Sequence, residues 1–217
     1  MTTVYLVRHA EAEGNKNRTF QGRTDCDLTE KGYRQLESLA ERFKDIKIDK
    51  LYSSPLKRTI ETAKAVNKYH NLPINIDENI IEINGGVFEG LNWDKVGEMY
   101  PEEHKVWVNQ PHNFKIEGGE SMKNVYERMK KAITAIVSEN KGKTVAVVSH
   151  GCAIRNYLCY ANKMPHEKIC TLEWADNTAI SKIEFDDDLE PTVIFQNDSS
   201  HLSDEDATIR FETWWKE

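Results

Sequence analysis

Val4-Tyr5-Leu6-Val7 is a short apolar run that stops at Arg8-His9-Ala10-Glu11. The run predicts a strand, and its end places a guanidinium and an imidazole at the carboxyl edge of a sheet. In open α/β folds that edge is where ligands bind. The arrangement recurs at Thr144-Val145-Ala146-Val147-Val148, which ends at Ser149-His150-Gly151. Two strands that each deliver a histidine to one edge point to a site for phosphoryl chemistry built on imidazole.

Between these runs, strand and helix patterns alternate. This predicts a three-layer αβα sandwich with a mostly parallel central sheet. The polar stretch from Glu13 to Asp27 reads as a loop. Thr29 can cap a helix to about Lys44, with Leu36, Leu39, Ala40 and Phe43 on one face. Ile48 to Tyr52 predicts a strand, and Ser53-Ser54-Pro55 a helix start, with serine as cap and proline at the first helical position. That helix is expected to reach about Tyr69, before a short strand at Ile74–Ile76. Ser121 starts a long helix to about Asn140. A further helix, Ala153 to Tyr160, begins just after Gly151. Ala179–Phe185 and Thr192–Phe195 predict a β pair joined by Asp186-Asp187-Asp188, and the tail from Ser203 to Glu217 predicts a helix.

The segment from about 84 to 119 breaks the rhythm. It carries Gly85, Gly86, Gly90 and Gly97, two prolines, Tyr100, Phe114 and the tryptophans Trp93 and Trp107. It is expected to be an inserted lid of short helices within a single domain spanning 1–217. The two tryptophans fit either a pocket wall or packing within the lid.

Charge and cysteine content narrow the function. A net charge of −7 argues against nucleic-acid binding, which needs a basic face. It leaves room for a local basic pocket. No apolar stretch is long enough for a membrane span, and the amino terminus lacks the pattern of a signal peptide, so a cytoplasmic protein is expected. Cys26, Cys152, Cys159 and Cys170 form no C-x-x-C pair and read as reduced, buried thiols. His70, His104, His112, His166 and His201 show no metal-ligand spacing and read as mostly surface residues. Neither a metal nor a cofactor is expected.

Hydrolysis of a phosphate monoester without a metal needs positive groups for the phosphoryl oxygens, a nucleophile and an acid for the leaving alkoxide. Arg8 and His9 leave the first strand, and His150 leaves the later one. Arg58 lies in the first turn of a helix, near free backbone N–H groups. Gly151 lets the backbone approach closely. Glu82 follows a strand-like apolar run and precedes Gly85-Gly86.

These residues resemble the histidine phosphatase superfamily, the phosphoglycerate mutase-like group. The resemblance is carried by Arg8-His9-Ala10-Glu11 with Asn15, by Gln21-Gly22, and by Ser53-Ser54-Pro55-Leu56-Lys57-Arg58-Thr59. It continues through Glu82, Phe88-Glu89-Gly90, Gly118-Gly119-Glu120-Ser121, Ser149-His150-Gly151, Asn197-Asp198 and His201-Leu202. It implies that His9 carries the phosphoryl group and that Arg8, Arg58 and His150 hold it. Asn15 would line the pocket, with Gln21 and Gly22 beside it, and Glu82 would donate the proton and later activate water. Ala10 stands where the family usually has glycine, and Ala12 where it has threonine. The implied partner is a small-molecule phosphate ester; the ester itself and the oligomeric state stay open.

Within the family, the segment after Glu82 looks like the phosphatase branch, which includes α-ribazole phosphatases and broad-specificity acid phosphatases. A mutase needs extra positive charge to retain its intermediate, whereas Ile83 to Leu91 supplies none and Glu89 adds a negative charge. A phosphoglycerate mutase is the competing enzyme reading. A non-catalytic binding member of the same fold is the competitor from another class.

Overall fold

A computed structural model describes residues 1–209. Four strands run parallel: β1 (Thr2–Arg8), β2 (Lys50–Ser53), β3 (Ile74–Ile76) and β4 (Thr144–Ser149). β5 (Ile180–Phe185) pairs antiparallel with β1, and β6 (Pro191–Asp198) pairs antiparallel with β5 and so runs in the direction of the first four. They form one sheet in the order β3-β2-β4-β1-β5-β6. Alternating residues of the central strands feed opposite faces. Val4 and Leu6 of β1, with Val145 and Val147 of β4, join one core. Val7, Ala146 and Val148 join the other.

The second core is covered by α2 (Glu30–Phe43) and α3 (Lys57–Val66), which contribute Leu39, Phe43, Ala63 and Val66. The first is covered by α6 (Met122–Glu139) and α7 (Gly151–Ala161), and by residues of the 84–119 segment such as Phe88, Val96 and Phe114. The αβα layering expected from the sequence is present. The 84–119 segment holds two helices, α4 (Trp93–Met99) and α5 (Pro101–Asn109), with single 3-10 turns at Gly86–Phe88 and Pro111–Asn113.

Several local expectations are corrected. A single helical turn, α1 (Glu13–Lys16), lies in the stretch read as loop. It has no apolar periodicity and is closed by Asn15, whose Oδ1 accepts the Ala12 N–H at 3.0 Å. The helix after β2 does not start at Ser54 and Pro55. Its cap is Leu56, it begins at Lys57, and it ends at Val66. Ser53 is still in β2, and the Ser54 hydroxyl is engaged by His150 at 2.7 Å, so neither serine is available to cap. The run before Glu82 is a 3-10 turn, Glu78–Ile80, rather than a strand. In the expected carboxy-terminal helix, 204–206 form a turn and 208 a bend, while 210–217 lie outside the described residues. No helix among the described residues is long and apolar enough to cross a membrane.

Candidate active site

The sheet topology places the two histidines side by side. β1 and β4 are adjacent and parallel, and their register pairs Arg8 with Ser149. His9 and His150 are therefore the next residues on neighbouring strands. The backbone N–H of His9 donates to the Ser149 carbonyl at 3.0 Å, and the ring centroids lie 5.3 Å apart. A cleft of about 150 Å³ opens at this edge, lined by Arg8, His9, Asn15, Arg58, Glu82 and Gly151, among others.

His9 is 3% exposed, and its Nδ1 donates to the Ala10 carbonyl at 2.7 Å. That bond fixes the tautomer and leaves Nε2 with a lone pair. Burial, reinforced by the Arg58 and Arg8 charges, pushes His9 well below the usual imidazole range. The ring is neutral near pH 7 and fit to act as a nucleophile. Ala10 is fully buried and is not among the residues with positive φ, so its methyl is accommodated without backbone strain. Its N–H donates to Thr62 Oγ1 at 2.9 Å.

The two arginines come from opposite sides. Arg8 is 7% exposed and donates through a terminal nitrogen to the Ala175 carbonyl. Burial brings its pKa down to about 10, so it stays charged. Arg58 is 1% exposed and donates to the carbonyls of Thr24 and Gly22, at 2.8 and 2.7 Å. Among the described residues, Nε of each arginine and Nδ1 of His150 are buried without a hydrogen-bond partner. Unpaired buried donors are costly unless something accepts from them, and an oxyanion would.

Two glycines have defined reasons. Gly22 has φ +46, and a Cβ there would fall 2.0 Å from Glu89 Oε1. At Gly151 a Cβ would crowd Arg8 Nε at 3.3 Å. Asn15 and Gln21 also line the cleft. Asn15 spends its carbonyl oxygen on the α1 cap, which leaves its amide N–H groups for a ligand. Gln21 accepts from the Cys26 thiol at 3.0 Å.

Glu82 is held by three backbone N–H groups. Ile83 and Ala153 donate to Oε1 at 2.9 and 3.0 Å, and Cys152 donates to Oε2 at 3.0 Å. Cys152 and Ala153 belong to the first turn of α7, so the carboxyl sits on a helix amino terminus. Burial nevertheless dominates and raises its pKa above the ordinary carboxylate value, against the pull of those N–H groups and Arg58.

His150 departs from the simplest picture. It has no exposed surface and is not part of the cleft wall. Burial, with Arg58 and His9 nearby, holds it well below the usual range. The five remaining histidines, expected at the surface, are all half-buried. His166 bonds Asn156 Oδ1 at 3.0 Å, His70 donates to the Phe43 carbonyl at 3.1 Å, and His104 packs on Trp93. All four cysteines are free. Cys152 and Cys159 are buried as expected, whereas Cys26 is half-buried and Cys170 is exposed.

Some contributors were not singled out from the sequence. Arg18, Trp174, Asn177 and Thr208 line the cleft. Asn177 donates to the His9 carbonyl at 2.9 Å. They follow no strand-end pattern and reach the site through long-range packing. Trp93 and Trp107 fill both roles left open, lining the cleft and packing within the 84–119 segment, against each other and, for Trp107, on Phe114. Glu89 also reads differently in three dimensions. It accepts from the N–H groups of Arg23, Thr24 and Gly85, each at 2.8 Å, and so braces the Gly22 loop against the 84–119 segment.

A model of the histidine phosphatase superfamily (branch 1) matches residues 4–198. The chain belongs to that superfamily. Phosphoserine phosphatase 1 of Hydrogenobacter thermophilus is 40% identical over 159 residues, covering 73% of this chain and 75% of its own. Phosphoglycerate mutase-like protein 4 of Arabidopsis thaliana is 32% identical over 204 residues, 93% of this chain and 87% of its own. The solved structure of Bacillus stearothermophilus YhfR superposes with a TM-score of 0.90 at 30% identity, covering 94% of this chain and 100% of that one.

The buried site of this histidine phosphatase predicts a pH-dependent stability. His9 and His150 have folded pKa values below the unfolded value of about 6.5. As pH falls below about 6.5 the unfolded chain takes up protons that the folded chain does not, so stability drops. Glu82 works in the opposite sense, because its raised pKa favours the folded state at low pH and that contribution fades as pH rises through it. Two imidazoles outweigh one carboxyl, so stability is expected to rise from pH 5 to 6.5, by up to about 1.4 kcal/mol per pH unit per histidine. Denaturant titrations at several pH values should show this slope, and His150→Asn should reduce it. A slope that His150→Asn leaves unchanged would mean that its imidazole is not held neutral.

Proposed function

We propose that this phosphoric monoester hydrolase works without a metal, through a phosphoryl group carried on Nε2 of His9. The observation that carries this reading is the setting of His9. One nitrogen is committed to the Ala10 carbonyl, and burial with two guanidiniums keeps the ring neutral. The Nε2 lone pair attacks phosphorus in line with the ester oxygen. The P–O bond breaks, and the leaving alkoxide takes a proton from the Glu82 carboxyl. Among the described residues Oε2 accepts one N–H, from Cys152, and is the oxygen with room for that proton. Arg8, Arg58 and His150 hold the equatorial oxygens, with Asn15 beside them. The His9 and His150 ring centroids lie 5.3 Å apart, which sets the His150 ring beside the phosphoryl group that His9 would carry. Water then attacks phosphorus while Glu82 accepts its proton, which releases phosphate and restores His9.

Among the described residues, no group of three or more His, Cys, Asp or Glu side chains is placed to hold a metal ion. The positive charge needed in the transition state can come from the two arginines. Turnover of p-nitrophenyl phosphate is accordingly expected to survive EDTA. Reversible loss in chelator, restored by one divalent ion, would refute the metal-free mechanism.

The relatives make phosphoserine the first ester to assay and 3-phosphoglycerate the second. One observation favours the mutase as a second reading, since Arg18 brings a third guanidinium to the cleft. Residues 83–91 add no cation to it. Given 3-phosphoglycerate and its bisphosphate, the enzyme is expected to release inorganic phosphate faster than it isomerises the substrate. Efficient interconversion with little free phosphate would favour the mutase. The absence of turnover on any ester would favour a non-catalytic binding protein.

A further inference from the structure

We propose that Ser54 is a positioning residue that sets the tautomer of His150, directing its single proton to Nδ1 for donation to the phosphoryl group. The proposal rests on the reading above, in which His150 binds phosphate. Ser54 follows β2 and is fully buried, as is His150. Its backbone is fixed. The N–H donates to the Val148 carbonyl at 3.1 Å, and the carbonyl accepts from the hydroxyls of Ser53 and Thr59 at 2.8 and 2.9 Å. The hydroxyl has one partner among the described residues, His150 Nε2 at 2.7 Å.

Proton bookkeeping then decides the direction of that bond. A neutral imidazole carries one N–H. If Nε2 held it, Nε2 would donate to Ser54 Oγ, and two buried groups would be left unmatched: the hydroxyl hydrogen and the Nδ1 lone pair. If the hydroxyl donates instead, both Ser54 and Nε2 are satisfied. The remaining group is Nδ1–H, a donor. Nδ1 is the atom that is buried without a partner among the described residues, and a donor there suits an anion.

The two rings then share a tautomer but present opposite faces of it. His9 donates Nδ1–H to its own neighbour, Ala10, and keeps a lone pair for attack. His150 accepts from Ser54 and keeps an N–H for the phosphoryl oxygen. The role also explains why Ser54 does not cap α3, whose cap is Leu56.

The test is nitrogen-15 NMR of the imidazoles in the full labelled chain, combined with kinetics. In the wild type, His150 Nδ1 should show the protonated signature and Nε2 the unprotonated one. In Ser54→Ala the proton should move to Nε2, and kcat/KM for p-nitrophenyl phosphate should fall about ten- to a hundredfold. Ser54→Thr, which keeps the hydroxyl, should restore both. A wild-type spectrum with the proton on Nε2 overturns the proposal, and it needs no variant to fold. Loss of activity in Ser54→Ala with an unchanged tautomer also overturns it, because the effect is then merely structural. His150→Ala separates the two levels. If it leaves kcat/KM intact, the phosphate-binding role of His150 fails. If it impairs turnover while Ser54→Ala changes neither readout, only the role of Ser54 fails.

Discussion

His9→Ala is expected to lower turnover of every phosphate monoester by at least about a thousandfold, with the fold intact. The size of the effect follows from the lack of a substitute nucleophile among the described residues of the cleft. The thiol at the cleft is Cys152. Burial, with Glu82 alongside, pushes its pKa well above the ordinary thiol value, so it stays protonated and unreactive. Its thiol also donates to the Met122 sulfur at 3.5 Å, away from any phosphate. Water could attack the ester directly, with Arg8 and Arg58 still in place, and that route sets the residual rate. Removing the ring leaves a cavity but relieves the cost of burying an imidazole between two guanidiniums, so a large loss of stability is not expected. Quenching wild-type enzyme during turnover should trap acid-labile phosphate on the protein, and His9→Ala should trap none. Near-normal turnover by the variant, or label on another residue, would reject the phosphohistidine.

Much of this site was legible because its central residues sit at strand ends. An apolar run that stops at a histidine identifies a carboxyl edge without knowledge of strand order, and β1 and β4 both do so. Arg58 was legible for a related reason, since a helix start after a strand brings a side chain to the same edge. Local pattern misleads where side chains are recruited by distant partners. Ser54 has the local signature of a helix cap, yet His150, 96 residues away, takes its hydroxyl. Glu89 reads as bare negative charge, but three backbone N–H groups from two segments absorb it. Asn177, just before β5, reaches the His9 carbonyl 168 residues away, and Thr208 follows β6 and bonds Asn177 at 3.2 Å. None of these contacts leaves a periodic trace in the sequence, so no reading of local pattern could find them.

Glu82→Gln is expected to produce a loss that depends on the leaving group. For alkyl esters such as phosphoserine, whose alkoxide needs a proton as the bond breaks, the fall should be about a hundredfold to ten-thousandfold. For p-nitrophenyl phosphate it should be under about tenfold, because that phenolate leaves unaided. The substitution is not innocent sterically. Backbone N–H groups donate to both carboxyl oxygens, from Ile83 and Ala153 to one and from Cys152 to the other. The glutamine amide supplies a single acceptor, so its NH₂ must face an N–H, at a cost of about 1–3 kcal/mol. That defect should lower all esters alike, whereas loss of the proton should grow with the basicity of the leaving group. The pH profile gives a second separation. The acid works only while protonated, so kcat/KM of the wild type on alkyl esters should decline as pH rises through the elevated pKa of Glu82. Glu82→Gln has no proton to lose and should lack that descending limb. A uniform loss across esters, with the limb retained, would assign the proton to another group and leave Glu82 as a brace between the 84–119 segment and the start of α7.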